Sequence, residues 1–270
     1  MTPNTSGTTN IPTHQAESLP HHNLVHRPKT LHLGHRPGTY QGTSSQQNKS
    51  TMQITQTIIQ FPDIELQTRD AHKLRGYFGN LFKEHSPLLH NHYTDGTTRY
   101  AYPLVQYKVI DRIPALVGFQ EGAELLVTLF LKIRELDIEG NRFTVLAKNI
   151  QQKQVELNVN RQLVNYTFKT LWMALNQENF RKYTHLGESE KTVFLNQQLQ
   201  NNILSFYKGL SYRTSERIMA ITRLEEKQTL FKDQPMLAFS GEFTTNAFLP
   251  EWAGIGKAVS RGFGTVSLKQ

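Results

Sequence analysis

The chain of 270 residues contains no cysteine. Disulfides, thiolate metal sites and a cysteine nucleophile are excluded, and the composition agrees with a reducing interior. No apolar run is long enough to span a bilayer, and the N-terminus lacks the charged start, apolar middle and small-residue cleavage site of a secretory signal. The cytoplasm is therefore the expected compartment, with no membrane partner. Acid is also in short supply: 22 Asp and Glu against 30 Lys and Arg leave a formal charge of +8. Such an excess favours nucleic acid or an anionic surface over a small acidic metabolite.

Residues 1–50 are dominated by Ser, Thr, Gln, Asn, Pro and Gly, without helical or strand period. Such a segment cannot bury enough apolar area to offset its ordering entropy, so a disordered polar leader is expected over 1–51. It holds six of the eleven histidines, His14, His21, His22, His26, His32 and His35. None of their spacings combines an i, i+4 pair with an acidic third ligand, so no metal site is expected there. Met52 opens the first apolar-periodic segment, and a start codon assigned too far upstream is one reading of the leader.

From Met52 onward about 220 residues remain, enough for one large domain or two small ones. The run containing Ile54, Ile58, Ile59 and Phe61 reads as a strand ending at Pro62. Across Thr68–Lys83, Ala71, Leu74, Tyr77, Phe78, Leu81 and Phe82 recur at three- and four-residue steps, the period of an amphipathic helix. Tyr100–Ile110 and Pro114–Phe119 read as strands about an Asp111-Arg112 turn, Glu121–Arg134 as a second helix, and Arg142–Lys148 as a fourth strand. The order β-α-β-β-α-β is the ferredoxin-like arrangement shared by RRM modules. A second, modified pass follows: a strand in Gln162–Ala174, a helix over Lys191–Tyr207, a strand pair Ile218–Leu224 and Met236–Phe243, then a short last strand from Thr265 to Leu268. Its second helix is not evident. The expected architecture is thus α+β, with tandem ferredoxin-like domains at 52–155 and 156–270.

Two motifs carry chemistry. The first, Gly254-Ile-Gly256-Lys257-Ala-Val-Ser-Arg261-Gly262-Phe-Gly264, sets four glycines and two cations in eleven residues. Glycine permits positive φ and close approach of backbone to a ligand, and successive N–H groups make a concavity for phosphate oxygens. A flexible hairpin leading into the last strand is the plain alternative. Neither the P-loop ending nor Gly-x-Gly-x-x-Gly is present, since Val259 occupies the third glycine's place. The second motif, Leu89-His90-Asn91-His92, follows Pro87, which ends the helical pattern and places both imidazoles on a connection. Imidazole titrates near pH ~6.5, so two of them beside one phosphodiester can divide acid and base work. A divalent metal would need a further ligand, and Asp95 is the nearest candidate; a pair of surface histidines is the plain alternative. Arg99, Tyr100, Tyr102, Tyr107 and Lys108 surround the second strand, where cations could offset charge on a phosphorane and tyrosines could bond phosphate or stack on a base.

The split βαβ repeat, the histidines after the first helix and the terminal glycine loop together make the sequence resemble the CRISPR-associated repeat-processing endoribonucleases, the sixth Cas family, within the repeat-associated mysterious protein (RAMP) superfamily. The double histidine looks most like the b-type branch, and Phe239-Ser-Gly-Glu-Phe243 and Leu249-Pro250 ahead of the loop belong to the same pattern. The resemblance spans roughly 53 to 269. It implies metal-independent, cofactor-free cleavage of precursor CRISPR RNA within each repeat, leaving a 2′,3′-cyclic phosphate and a 5′-hydroxyl. It implies His90 and His92 as acid and base and Tyr100 as a supporting residue. Gly254, Gly256, Lys257, Arg261, Gly262 and Gly264 become the loop that packs on RNA. No residue matches the active-site lysine of some relatives outright, which leaves Lys108 and Arg99 as the cations toward RNA. Expected partners are CRISPR repeat RNA, other effector-complex subunits and a second copy of the chain. A non-catalytic RAMP subunit that only holds guide RNA is the rival reading, and the His-x-His argues against it.

Overall fold

In a computed structural model, residues 51–82, 102–231 and 234–269 are described. The leader expected over 1–51 falls almost wholly outside them, and so do His90, His92, Arg99 and Tyr100.

The first half opens with β1 (Met52–Gln60) and, after a 3-10 turn at Thr68–Asp70, α1 (Ala71–Leu81). A hairpin of β2 (Val105–Ile110) and β3 (Ile113–Phe119) follows, then α2 (Glu121–Phe130). Asp111 and Arg112 both take positive φ, 50° and 68°, as a two-residue hairpin turn matched to strand twist requires. The strand expected at Arg142–Lys148 is corrected by the structure. Its first residues belong to a separate hairpin, β4 (Glu135–Ile138) with β5 (Asn141–Thr144), and the sheet is completed instead by β6 (Asn149–Leu157). Glu139 and Gly140 at φ 55° and 84° close that hairpin. β6 hides from a hydropathy reading because it is an edge strand with six exposed residues at its start. Its glutamines instead reach along β1, Gln152 donating to Thr57 at 3.0 Å and Gln154 to Thr55 at 2.9 Å. The order β2-β3-β1-β6, antiparallel throughout, is the ferredoxin-like one.

The second half repeats it with changes. β7 (Val159–Phe168), the helices α3 (Gln177–Tyr183) and α4 (Glu188–Gly209), β8 (Ala220–Phe231), β9 (Gln234–Ala247) and β10 (Val266–Leu268) give a sheet in the order β10-β7-β9-β8. The place of a second helix is taken by the glycine segment, whose only helical turn is 3-10, at Val259–Arg261. α3 has no counterpart in the sequence pattern: seven residues long, it buries Tyr183 alone, and Asn176 caps it by accepting from the Asn179 amide at 2.7 Å. α4 is strongly patterned, with Leu195, Leu199, Ile203, Phe206 and Tyr207 buried along one face and Leu210 buried just past its end.

The faces of the first sheet divide the core. Ile59, Val105, Tyr107, Val109 and Leu116 meet α1 and α2 through Leu74, Phe78, Leu126 and Phe130. On the other face Ile54, Ile58, Val117 and Phe119 share a cluster with α4 and the second sheet. Phe119 meets Phe206 edge-on at 5.9 Å. A sheet face that usually looks at solvent in a lone domain of this kind is thus buried inside the molecule.

Candidate functional site

The glycine segment is closed at its base by a short antiparallel ladder. The Ile255 amide donates to the Gly264 carbonyl at 2.8 Å and the Val266 amide to the Ala253 carbonyl at 2.9 Å. Beyond these rungs the chain turns through left-handed conformations at Gly256, Ala258, Gly262 and Gly264 (φ 100°, 54°, 91° and 65°). The resemblance implied that this loop packs on RNA; within the protein, the place a side chain would take at each of its glycines is already occupied. A Cβ on Gly254 would stand 2.6 Å from Cβ of Val259, one on Gly256 2.6 Å from the Trp172 ring nitrogen, and one on Gly262 2.6 Å from Cβ of Ala71. On Gly264 it would overlap the Ile255 carbonyl oxygen. What the segment offers outward is Lys257, exposed, and Arg261, half-buried.

Polar residues of the first half lock this segment in place. Tyr102 donates its hydroxyl to the Gly254 carbonyl at 2.7 Å, Gln106 donates to Tyr102 Oη at 2.5 Å, and Gln106 Oε1 accepts from the Gly254 amide at 3.0 Å. Burial pushes the Tyr102 phenol well above its usual range, so it stays a donor at any working pH. Gln56 donates to the Glu251 carbonyl at 2.6 Å. Lys108, expected on the RNA-facing side, is wholly buried: its ammonium donates to Thr265 Oγ1 at 3.0 Å, and that hydroxyl donates to the Gly262 carbonyl at 3.2 Å. Gln56, Gln106 and Thr265 escaped the sequence reading because a polar residue alternating in a strand reads as a wet face.

Burial holds the Lys108 ammonium down at about 7 from the usual 10.5. Because the folded-state value lies below the unfolded one, the unfolded chain binds the extra proton between those limits, and stability rises with pH across that window. The cost is full below pH ~7 and fades toward ~10.5; a displacement of this size corresponds to roughly 4–5 kcal/mol. Lys108→Met is therefore expected to stabilise the fold at pH 7 by about 2–4 kcal/mol after loss of the Thr265 bond, and to flatten the rise between pH 7 and 10. Urea midpoints at the two pH values read this out. A less stable variant would mean that the ammonium is held charged and well compensated.

A cleft of about 810 Å³ opens beside the segment, between the N-terminal end of α1, the end of β7 and the sheet carrying β8 and β9. Arg69, His72, Lys169 and Arg261 line it, with Phe168, Leu171, Leu230 and Phe263 as apolar wall. Among the described residues no carboxylate lines it. Arg75, one helical turn from His72, is held below the usual guanidinium range by burial and then by the charge of Arg261, which burial also lowers. Guanidiniums set close enough to oppose each other's protonation form a local field suited to an anion. Nothing in the alternating or helical period marks Arg69 or Lys169, which stand at the ends of elements.

The described residues on either side of 83–101 are each anchored in the core. Phe82, following α1, stacks on Phe78 at 6.3 Å and meets Phe130 at 5.3 Å. Tyr102, where the chain is again described, packs on Phe206 at 5.3 Å and is bonded to the glycine segment. Among the described residues there is no cluster of three metal-ligating side chains, and no helix is long and apolar enough to cross a membrane.

Two ferredoxin-like halves in tandem, the second with its last helix replaced by a glycine segment docked on the first, define the class of protein. Residues 52–156 match the model of the Cas6b N-terminal domain and residues 158–268 that of the Cas6b C-terminal domain. The chain belongs to the Cas6b family. A crystal structure of Cas6b superposes with a TM-score of 0.78 at 36% identity, covering 81% of this chain and 100% of that one. A second, of the CRISPR RNA processing endoribonuclease Cas6b, gives 0.67 at 33% identity with the same coverage, 81% and 100%. An uncharacterized protein of Methanocaldococcus jannaschii is 35% identical over 139 residues, 51% of this chain and 95% of that protein.

Proposed function

We propose that the chain cleaves precursor CRISPR RNA within its repeats by attack of the ribose 2′-hydroxyl on the adjoining phosphate, without a metal ion. As a member of the Cas6b family it is a CRISPR RNA processing endoribonuclease, and the observation that carries this is the match of both domains to that family. The finer chemistry is our reading. One imidazole of the His90–His92 pair takes the 2′-hydroxyl proton as the new O2′–P bond forms, and the other gives a proton to the departing 5′-oxygen as the P–O5′ bond breaks. The products are a 2′,3′-cyclic phosphate and a 5′-hydroxyl. Tyr100 supports the scissile phosphate and Arg99 offsets the charge of the phosphorane. Lys257 and Arg261 hold backbone phosphates beside it, on a segment whose shape the protein interior already fixes.

What supports this reading is the Tyr102–Gly254 bond, which holds the residue where the chain is again described, ten positions after His92, against the glycine segment. A substrate that is a transcript of a repeat array makes the cytoplasm the compartment that we propose. In excess EDTA, incubation with precursor RNA from a repeat array is expected to give one cut per repeat. The 3′ ends should resist polyadenylation until phosphate is removed, and the 5′ ends should accept phosphate from a kinase directly. EDTA-sensitive cutting, or 5′-phosphate ends, would move His90 and His92 from proton transfer to metal ligation.

A further inference from the structure

We propose that the free edge of β6, together with a cleft beside its first residues, takes an extended segment of a partner protein that carries an aliphatic side chain next to acidic ones. Such a surface needs nothing from the chemistry proposed for His90 and His92. β6 ends the order β2-β3-β1-β6, and among the described residues no strand pairs with its outer side. Its inner side is paired with β1 from Asn149 to Leu157. In a strand every second residue turns its N–H and C=O away from that neighbour, so the outer side offers a row of unmatched donors and acceptors. Residues 149–154 are exposed throughout, so neither face of this stretch is roofed. The glycine segment is held three strands away, on β2, at roughly 14 Å for ~4.8 Å per strand.

A cleft of about 320 Å³ adjoins the start of this edge, lined by Leu131, Val145, Leu146 and Ile150 with Arg134 and Lys148. Leu146 is 79% exposed, and Leu131 and Ile150 are exposed as well. Single exposed leucines are ordinary, but three around one opening at a free edge form a pocket for an alternate side chain of an added strand. Arg134 donates to the Leu131 carbonyl at 3.0 Å and Lys148 to the same oxygen at 3.1 Å, and neither forms an ion pair among the described residues. Burial, and then the charge of Arg134, holds the Lys148 ammonium below its usual range, as expected of neighbouring cations with no anion between them. Asp63, which reaches this stretch, accepts from the Ala147 amide at 2.7 Å instead. Between Glu139 and Glu156 the sequence has no acidic residue, while Lys148 and Lys153 lie along the edge.

These charges choose among the occupants. A second copy adding its own β6 would set Lys148 and Lys153 against their duplicates with no acid between them, and edge lysines oppose self-pairing in this way. The chain's own residues 1–51 hold Arg27, Lys29, Arg36 and Lys49 against Glu17 alone, so they are repelled too. RNA matches the cations but brings no strand backbone to the free rungs, and the aliphatic wall has no aromatic ring for a base. An extended protein segment with acidic and aliphatic side chains answers all three features.

The test selects random peptides of about twelve residues, displayed on phage, against the full chain. Enriched sequences are expected to alternate polar and apolar residues and to place Asp or Glu close to Leu, Ile or Val. The most enriched one, made as a free peptide, is then titrated by fluorescence anisotropy. Its affinity should fall about tenfold in Leu146→Asp and at least about threefold in Lys153→Glu, both at exposed positions that the core does not use. N-methylation of the peptide at alternate residues should remove binding for one set and spare the other, because only every second N–H faces β6. Repeat RNA affinity should stay within about twofold in both protein variants, since neither position adjoins the glycine segment. No enrichment above an empty surface, binding undiminished in both variants, or equal loss for both methylated sets would overturn the proposal. So would enrichment of basic peptides, which would fit another occupant. A dimer that Leu146→Asp dissociates in sedimentation would assign the edge to a second copy, and a marked fall in repeat RNA affinity would assign it to RNA; either result ends the proposal.

Discussion

Replacing His90 and His92 together by alanine is expected to abolish repeat cleavage while RNA affinity changes less than about threefold. Imidazoles that move protons in the transition state contribute little to holding the ground state, so the loss should fall on the rate of the bound complex. General acid–base catalysis is typically worth ~10² to 10⁴-fold per positioned group, so the double variant should fall by at least ~10⁴ in single-turnover rate. Each single variant should keep part of the activity, because water can stand in for one proton carrier; His92 lies closer in the chain to Tyr100 and should be the more sensitive. A 2′-deoxy unit just upstream of the scissile phosphate should stop the unsubstituted enzyme just as completely, since it removes the nucleophile. Binding affinity for that substrate should stay near that of the native repeat. If the double variant still cuts within about tenfold of the unsubstituted chain, the acid and base reside elsewhere. Affinity lost in parallel with rate would instead make the two histidines RNA contacts.

The sequence exposes this chemistry more readily than the interior that supports it. The helical steps from Ala71 to Phe82 and the long apolar stripe of α4 are legible because each buries one face and wets the other. β2 is not legible in the same way. Val105-Gln106-Tyr107-Lys108-Val109 alternates like a half-wet strand, yet every residue of β2 is buried, because its polar face is roofed by the second half. A single-domain pattern gives no sign of that roof. The same blindness affects the glycines. Their spacing is right for a loop near phosphate, but what demands glycine at Gly254 and Gly262 is Val259 and Ala71 pressing on the backbone. The displaced fourth strand has another cause: as a solvated edge, β6 lacks the apolar alternation that reveals a strand, while the small hairpin before it imitates one.

Substitution of Gly264 by alanine is expected to cost the fold ~3–6 kcal/mol, because three effects act together. Its φ of 65° is left-handed, which costs an L-residue roughly 1–2 kcal/mol. The new methyl would overlap the Ile255 carbonyl oxygen, backbone that cannot rotate away. Moving that strand apart breaks the Ile255–Gly264 bond at 2.8 Å and strains the Gly264–Leu171 bond at 2.9 Å, and each buried polar group left unmatched costs about 1–3 kcal/mol. Two other glycines separate these contributions. Gly140 has φ 84° and nothing within 4 Å of the place where a methyl would stand, so Gly140→Ala isolates the backbone cost, about 1–2 kcal/mol. Gly76 lies within α1 with equally open surroundings, and Gly76→Ala should stabilise by about 0.5–1 kcal/mol through helix propensity. Urea denaturation of the three variants should therefore rank them Gly76→Ala, Gly140→Ala, Gly264→Ala in falling stability, with the widest gap before the last. Where Gly264→Ala remains folded, its RNA affinity should drop more than that of Lys257→Ala, since displacing the base of the segment moves Lys257 and Arg261 together. A Gly264→Ala chain no less stable than Gly140→Ala would mean that the segment is not closed at Ile255, and that its cations are positioned by the RNA and not by the protein interior.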